Sequence, residues 1–473
     1  MEFETVIGIE THVQLRTRTK LFCGCEARFG APPNSLVCPV CLGHPGVLPV
    51  LNREAFELGL RTALALDCEI APFTKFDRKN YFYPDLPKNY QISQYDLPFS
   101  REGRVPIDGK TVGIIRVHLE EDAGKLIHEE NGTRSFVDLN RAGIPLVEIV
   151  TKPDLRSSEE AAQYLVELKS ILEYTGVSDC DLEKGELRCD INLSVRPKGT
   201  TALGVKTEIK NLNSFRFAKA AIEYETRRQI AAIEAGETLR QETRSYDADR
   251  NVTEVMRTKE QAHDYRYFPE PDLPPIRVSP EWIERVRASL PELPARKRAR
   301  LVREYGLSEY DARVLTGSRE MGDFFDRAGR IHKPKAVANW LANEVNKILN
   351  EKKLDLSASK LTPDGLVGLI RLVEAGTITG ATGKEVLGEL VVSGGSAQAI
   401  VESRGLAQVR DAGALEAAAA KVIAANPKAV GDFRGGKEAT LQFLIGQVMR
   451  EMKGRANPKG VEDSLRKLLG PSP

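Results

Sequence analysis

Four stretches of this sequence alternate polar and apolar side chains with a period of two, and that pattern limits the fold more than any other feature. In residues 5–15, Ile7, Ile9, Val13 and Leu15 point one way, and Glu10, His12 and Gln14 the other. In residues 112–121, Ile115, Val117 and Leu119 oppose Arg116, His118 and Glu120. In residues 187–196, Leu187, Cys189, Ile191, Leu193 and Val195 oppose Arg188, Asp190, Asn192, Ser194 and Arg196. In residues 203–210, Leu203, Val205 and Ile209 oppose Lys206, Glu208 and Lys210. Side chains on a β-strand project to alternate faces, so each stretch reads as a strand with one face in a core. Antiparallel sheets commonly carry one buried face and one wet face. The expected class is α+β, with an antiparallel sheet near the N-terminus.

Any one of these polar faces reads simply as a solvated strand. Taken together they bring the acids Glu10, Glu120, Asp190 and Glu208 to one side, with His12 and His118 among them. Clustered carboxylates raise one another's pKa unless cations neutralise them. Mg²⁺ takes oxygen ligands and usually binds nucleotide phosphates as well. The interleaved Arg116, Arg188, Arg196, Lys206 and Lys210 suit phosphate oxygens. The pattern therefore predicts a metal–phosphate cradle, and Glu121 and Asp122, at the end of the second strand, are further candidate ligands. The loop from Arg78 to Gln91 mixes cations, prolines and tyrosines, as either a phosphate- and base-holding segment or a packed loop would. Neither G-x-x-x-x-G-K-[ST] nor G-x-G-x-x-G nor G-x-S-x-G occurs, so bound ATP would need a route other than those loops.

Cys23-Gly24-Cys25 and Cys38-Pro39-Val40-Cys41 form two close cysteine pairs. Such pairs can place four thiolates around Zn²⁺ in a closed, structural site. An iron–sulfur cluster or four free thiols are the alternatives. Cys68, Cys180 and Cys189 are isolated and read as small buried groups.

A chain of 473 residues suggests about three domains. Apolar residues at 41% and charged residues at 29% suit soluble globular cores. The formal net charge of +1 means that any nucleic-acid surface must be local. No run of about eighteen apolar residues predicts a membrane span. The opening MEFETVIGIE does not read as a secretory signal, and seven cysteines, four of them clustered, suit a reduced, cytoplasmic protein. Short segments with Gly and Pro give way to helical patterns near Leu290-Pro291-Glu292-Leu293-Pro294, and Gly-rich breaks recur at 394–405. The expected domains are therefore 1–292, 293–403 and 404–473. Ser157 with Glu160, and Gly176 beyond, mark one helix; another runs from about 215 to Gly236.

Longer motifs carry a resemblance. Val6-Ile7-Gly8-Ile9-Glu10-Thr11-His12-Val13-Gln14-Leu15, the Arg78–Gln91 loop, and His118-Leu119-Glu120-Glu121-Asp122-Ala123-Gly124-Lys125 closely resemble the B subunits of tRNA-dependent amidotransferases, the GatB family. So do Leu187–Asn192, Glu208–Ser214, Asp264–Asp272, Phe443–Met449 and Gly454–Pro458, in the family's order along the whole chain. The resemblance implies an ATP- and Mg²⁺-dependent ligase component. It would phosphorylate the side-chain carboxylate of Glu-tRNA(Gln) or Asp-tRNA(Asn), and ammonia from a glutaminase A subunit would displace the phosphate. A small C subunit would complete a heterotrimer, and a non-discriminating aminoacyl-tRNA synthetase is a further partner the resemblance admits. The family's metal positions fall on Glu10, His12, the Glu120/Glu121 pair, Asp190 and Glu208. Lys79, Lys88 and Lys206 are then the candidates for stabilising the phosphoryl group in transfer. The last third resembles the family's helical domain and a YqeY-type tail, with Lys437, Arg450, Lys453, Arg455 and Lys459 as a phosphate track for tRNA. The cysteine set varies within the family, so zinc is expected to be structural. A non-catalytic, zinc-containing tRNA-binding adaptor is the alternative. ATP cleavage that depends on Asp190 and Glu208 separates the two.

Overall fold

The computed structural model describes residues 2–129, 132–212, 214–258, 265–408, 412–452 and 456–470. Contacts divide the chain into two compact units, Met1–Ala295 and Arg296–Pro473.

The first unit is built on a nine-stranded sheet. Its strands lie side by side in the order Val252–Thr258, Glu242–Asp247, Thr207–Leu212, Leu187–Pro197, Phe3–Gln14, Pro145–Thr151, Lys110–Glu121, Ser100–Ile107 and Glu69–Ile70. Neighbours pair antiparallel, except that Thr207–Leu212 runs parallel to Glu242–Asp247. Helix Phe215–Glu234 makes that parallel crossover, since a parallel pair needs a connection longer than a hairpin. Helices Arg53–Ala65, Ser158–Thr175 and Phe215–Glu234 cover the apolar face. Ile7, Ile9, Val13, Val117, Leu119 and Ile191 share one core there with Phe56, Tyr164, Leu168 and Leu172. Burying such side chains, at about 1.5–3 kcal/mol each, keeps that face against the helices and leaves the polar face free for chemistry.

The helix expected after Ser157 is present. Ser157 Oγ accepts from the Glu160 N–H at 3.1 Å, and Gly176 closes the helix at φ +68°. The Glu160 carboxylate reaches one residue further back than a capping box requires, to the Arg156 N–H at 2.7 Å.

Two details of the alternation differ from expectation. A bulge opposite Val150 and Thr151 moves the pleat by one residue, so Ile114 takes the core place and Ile115 is 41% exposed. The fourth strand begins at Thr207, which leaves Leu203 and Val205 exposed on the segment before it. A smaller sheet joins Asp77–Asn80 to Tyr90–Ser93 and Phe268–Pro269, and its Tyr90–Ser93 strand lies against the Lys110–Glu121 strand.

The second unit is helical. Its buried apolar residues form two separate clusters, one from Leu301 to Val401 and one from Leu415 to Leu469. Among the described residues no helix is long and apolar enough to cross a membrane.

Candidate functional site

Strand register assembles the polar face. His12 lies opposite Glu148, and Glu148 lies opposite His118, across three adjacent strands. Two residues along from His12, Glu10 lies opposite Asp190, and two residues beyond that Asn192 lies opposite Glu208. The acids therefore divide into two groups.

In the first group, His12 Nε2 is 3.5 Å from Glu120 Oε1 and 3.5 Å from Glu148 Oε2. His12, Glu120 and Glu148 each offer a ligand atom, and these atoms lie within 4.8 Å of one another. Both carboxylates are buried, and His12 remains partly open to solvent. Burial alone would lower the His12 pKa, but the Glu148 and Glu120 carboxylates override it and push it up to about 9. Glu120 and Glu148 are held below the usual carboxylate range: burial opposes ionisation, but the histidines and Lys79 outweigh it. Two carboxylates and an imidazole around one point form a donor set that fits a divalent ion.

The second group shares one ammonium. Lys210 Nζ lies 2.5 Å from Asp190 and 3.2 Å from Glu208. Thr243 Oγ1 donates to Glu208 at 2.8 Å, and Asn192 Nδ2 donates to Glu10 at 2.9 Å. Burial, with Glu148 nearby, raises the Glu10 pKa. Glu10, Asp190 and Glu208 thus line the same face as His12 but stand outside its close ligand set.

Glu121 faces away from both groups. Its Oε1 accepts from the Ile92 N–H at 2.9 Å and pairs with Lys88. The pair lines a cavity of about 230 Å³ between the cysteine segment and the Arg78–Gln91 loop. Gly43, at φ +69°, lets the cysteine segment approach Lys88, since a Cβ there would meet Lys88 Cγ at 2.6 Å.

The candidate lysines also separate. Lys79 sits on the strand Asp77–Asn80 with its ammonium 5.0 Å from the Tyr265 ring centre. Burial would lower its pKa, but Glu120 and Glu148 raise it, so it stays charged beside the first group. Lys88 is taken by Glu121. Lys206 is exposed just before its strand, where its charge acts on Glu10 and Glu208. The tyrosines form a wall beside Lys79: Tyr95 and Tyr267 stack with ring centres 4.0 Å apart.

Cys23, Cys25, Cys38 and Cys41 offer four sulfur atoms within 4.8 Å of one another, a group that could hold a metal ion. Cys38 and Cys41 Sγ are 3.9 Å apart. A tetrahedron with Zn–S bonds of about 2.3 Å has edges of about 3.8 Å, so the spacing fits zinc. The hydrogen bond with Cys23, the Cys38 backbone and the Lys20 ammonium bring the Cys41 thiol down to about 4.

In the tail, Lys437, Arg450 and Lys459 are exposed, and Lys437 pairs with Asp432 at 3.1 Å. Lys453 and Arg455 lie outside the described residues.

Alternation does not point to Glu148, because its strand, Pro145–Thr151, is buried along most of its length and reads as an apolar run. The usable signal was a single acid between Val147 and Ile149.

Residues 5–284 match the family described as GatB/GatE catalytic domain, and residues 323–469 match the GatB domain. The chain is 54% identical to the B subunit of the aspartyl/glutamyl-tRNA(Asn/Gln) amidotransferase of Carboxydothermus hydrogenoformans, over 99% of each protein. It is 54% identical to the protein of that name from Caldanaerobacter subterraneus, over 99% of this chain and all of the relative. The figure for Moorella thermoacetica is 53%, again over 99% of this chain and all of the relative.

Proposed function

The chain belongs to the GatB family of amidotransferase components, and from that premise we propose that it activates the carboxylate of a misacylated tRNA with ATP. The single observation that carries this reading is the convergence of His12, Glu120 and Glu148 on the polar face of the sheet. Mg²⁺ bound by that set would neutralise phosphate oxygens of ATP.

The chain's own residues do the rest. The aspartyl or glutamyl side chain is already ionised near neutral pH and needs no general base. Its oxygen takes the γ-phosphoryl group as ADP leaves. Ammonia then attacks the acyl carbon, and phosphate departs as the amide forms. Phosphoryl transfer depends chiefly on positioning and charge neutralisation. Lys79 is suited to that role beside Glu120 and Glu148, with Lys206 at the opposite rim near Glu10 and Glu208. Lys88, paired with Glu121, would act once that pair opens. Glu10, Asp190 and Glu208, with Lys210, would shape the second wall of the nucleotide site. The acyl phosphate is sensitive to water, so the site must exclude water while admitting ammonia.

The relatives' name supports an assembly with further subunits and with tRNA. The reading therefore includes a glutaminase A subunit that supplies ammonia, a C subunit, and a cytoplasmic setting. Zinc on the four cysteines would brace the fold, and Lys437, Arg450, Lys453, Arg455 and Lys459 would hold tRNA phosphates.

The test uses the reconstituted complex with ATP, glutamine and misacylated tRNA. Asp190→Ala and Glu208→Ala should each abolish tRNA-dependent ATP cleavage and amide formation. Transamidation at the wild-type rate in Asp190→Ala would refute the cradle. Supplying Glu-tRNA(Gln) and Asp-tRNA(Asn) separately decides the product.

A further inference from the structure

His118 repeats the chemistry of His12 but is sealed in the floor of the site. Its side chain is 3% exposed, against 22% for His12. Its Nε2 lies 3.5 Å from Glu148 Oε2 and 3.8 Å from Glu120 Oε2. The two imidazoles thus converge on the same Glu148 oxygen, one from the open side and one from below. The two oxygens of Glu120 are divided between them. Oε1 faces His12, while Oε2 accepts from Ser93 Oγ at 3.3 Å and lies toward His118.

The tautomer follows from the surroundings. His118 Nδ1 is buried with no hydrogen-bond partner among the described residues. A proton on Nδ1 would strand a buried donor and aim the bare Nε2 lone pair at two carboxylates. A proton on Nε2 avoids both costs.

We propose that His118 is a positioning residue for the divalent-ion site, with its Nε2–H directed at Glu148 Oε2 and the Ser93 hydroxyl on Glu120 Oε2, so that Glu148 Oε2 and Glu120 Oε1 are held facing His12. This rests on the reading of His12, Glu120 and Glu148 as the ligand set. Groups behind metal ligands fix their orientation, and their loss typically costs about 10–100-fold in metal affinity. Glu120 and Glu148 come from different strands, and without the floor each carboxylate would choose among rotamers.

The experiment measures Mn²⁺ binding to the full chain by electron paramagnetic resonance, and the Mg²⁺ dependence of ATP cleavage in the reconstituted complex. His118→Leu should weaken Mn²⁺ binding and raise the half-saturating Mg²⁺ concentration about 10-fold or more, with the KM for tRNA unchanged. His118→Gln restores an N–H donor and should recover most of that loss. Ser93→Ala frees the same Glu120 oxygen, should raise the Mg²⁺ requirement several-fold, and carries the test if His118→Leu does not fold. Glu148→Gln separates the two levels. If it leaves Mn²⁺ binding intact, the ligand set itself is wrong. If it abolishes binding while His118→Leu, or Ser93→Ala in its place, binds like wild type, the positioning role is overturned.

Discussion

Glu120 and Glu121 are adjacent in sequence and serve opposite sides of their strand. Glu120 Oε1 is 3.5 Å from His12, whereas Glu121 Oε1 accepts from the Ile92 N–H at 2.9 Å and pairs with Lys88. Their conservative variants should therefore differ. Glu120→Gln should weaken Mn²⁺ binding by about 100-fold or more. Glu121→Gln should leave Mn²⁺ affinity near wild type and release Lys88, which a lysine-modifying reagent would report as faster labelling. Equal loss of metal binding in both variants would contradict the division.

Arg78 ties the loop that carries Lys79 to a distant segment. It donates to Glu270 at 2.7 and 3.0 Å and to Asp272 at 3.1 Å, and its guanidinium lies 4.2 Å from the Tyr90 ring centre. The Glu270 side chain is fully buried. Arg78→Met would leave that charge uncompensated and should cost about 3 kcal/mol of stability in urea unfolding. Arg78→Lys keeps the charge but loses the two-pronged contact, and should cost about 1–2 kcal/mol.

Lys20 is fully buried, with its ammonium 3.6 Å from Cys41 Sγ. Four thiolates around Zn²⁺ would leave an excess of negative charge, which the Lys20 ammonium would offset. Lys20→Met should weaken zinc retention by about 10-fold or more in competition with a chelator. Mn²⁺ binding at the His12 group should be unchanged, because the two sites share no ligand.

The helical unit carries a pH-dependent contact. Burial opposes ionisation of Asp326, but its bonds to Arg300 at 2.8 and 3.0 Å and the nearby Lys297 lower its pKa. A carboxylate depressed in the folded state stabilises above its unfolded pKa, and that contribution fades as pH falls through the folded value. The stability gap between wild type and Asp326→Asn should therefore be full at about pH 5 and shrink as the pH is lowered below about 3.9. A gap that widened with acid would contradict the pairing.

The face that carries the candidate site was legible because alternation is a backbone property. Glu10, His12, His118, Glu120, Asp190 and Glu208 follow from the period of two. The partition of those acids was not legible. It depends on which strands are neighbours, and the strand Pro145–Thr151, which inserts Glu148 between His12 and His118, shows no alternation because it is buried on both faces. Ile115 failed for a related reason, since a bulge adds a residue that no periodic reading anticipates. The helix at Ser157 was readable at both ends because its cap and its Gly176 stop are local.

The central claim is that this face joins ATP to a carboxylate carried on tRNA, and an oxygen label follows that bond directly. Glutamyl-tRNA with ¹⁸O in its side-chain carboxylate is supplied with ATP and glutamine to the reconstituted complex, and the inorganic phosphate released is analysed by mass spectrometry. The account predicts one ¹⁸O per phosphate with the wild-type chain and no labelled phosphate with Glu148→Gln. Amide formed with unlabelled phosphate, or labelled phosphate at the wild-type rate from Glu148→Gln, would contradict it.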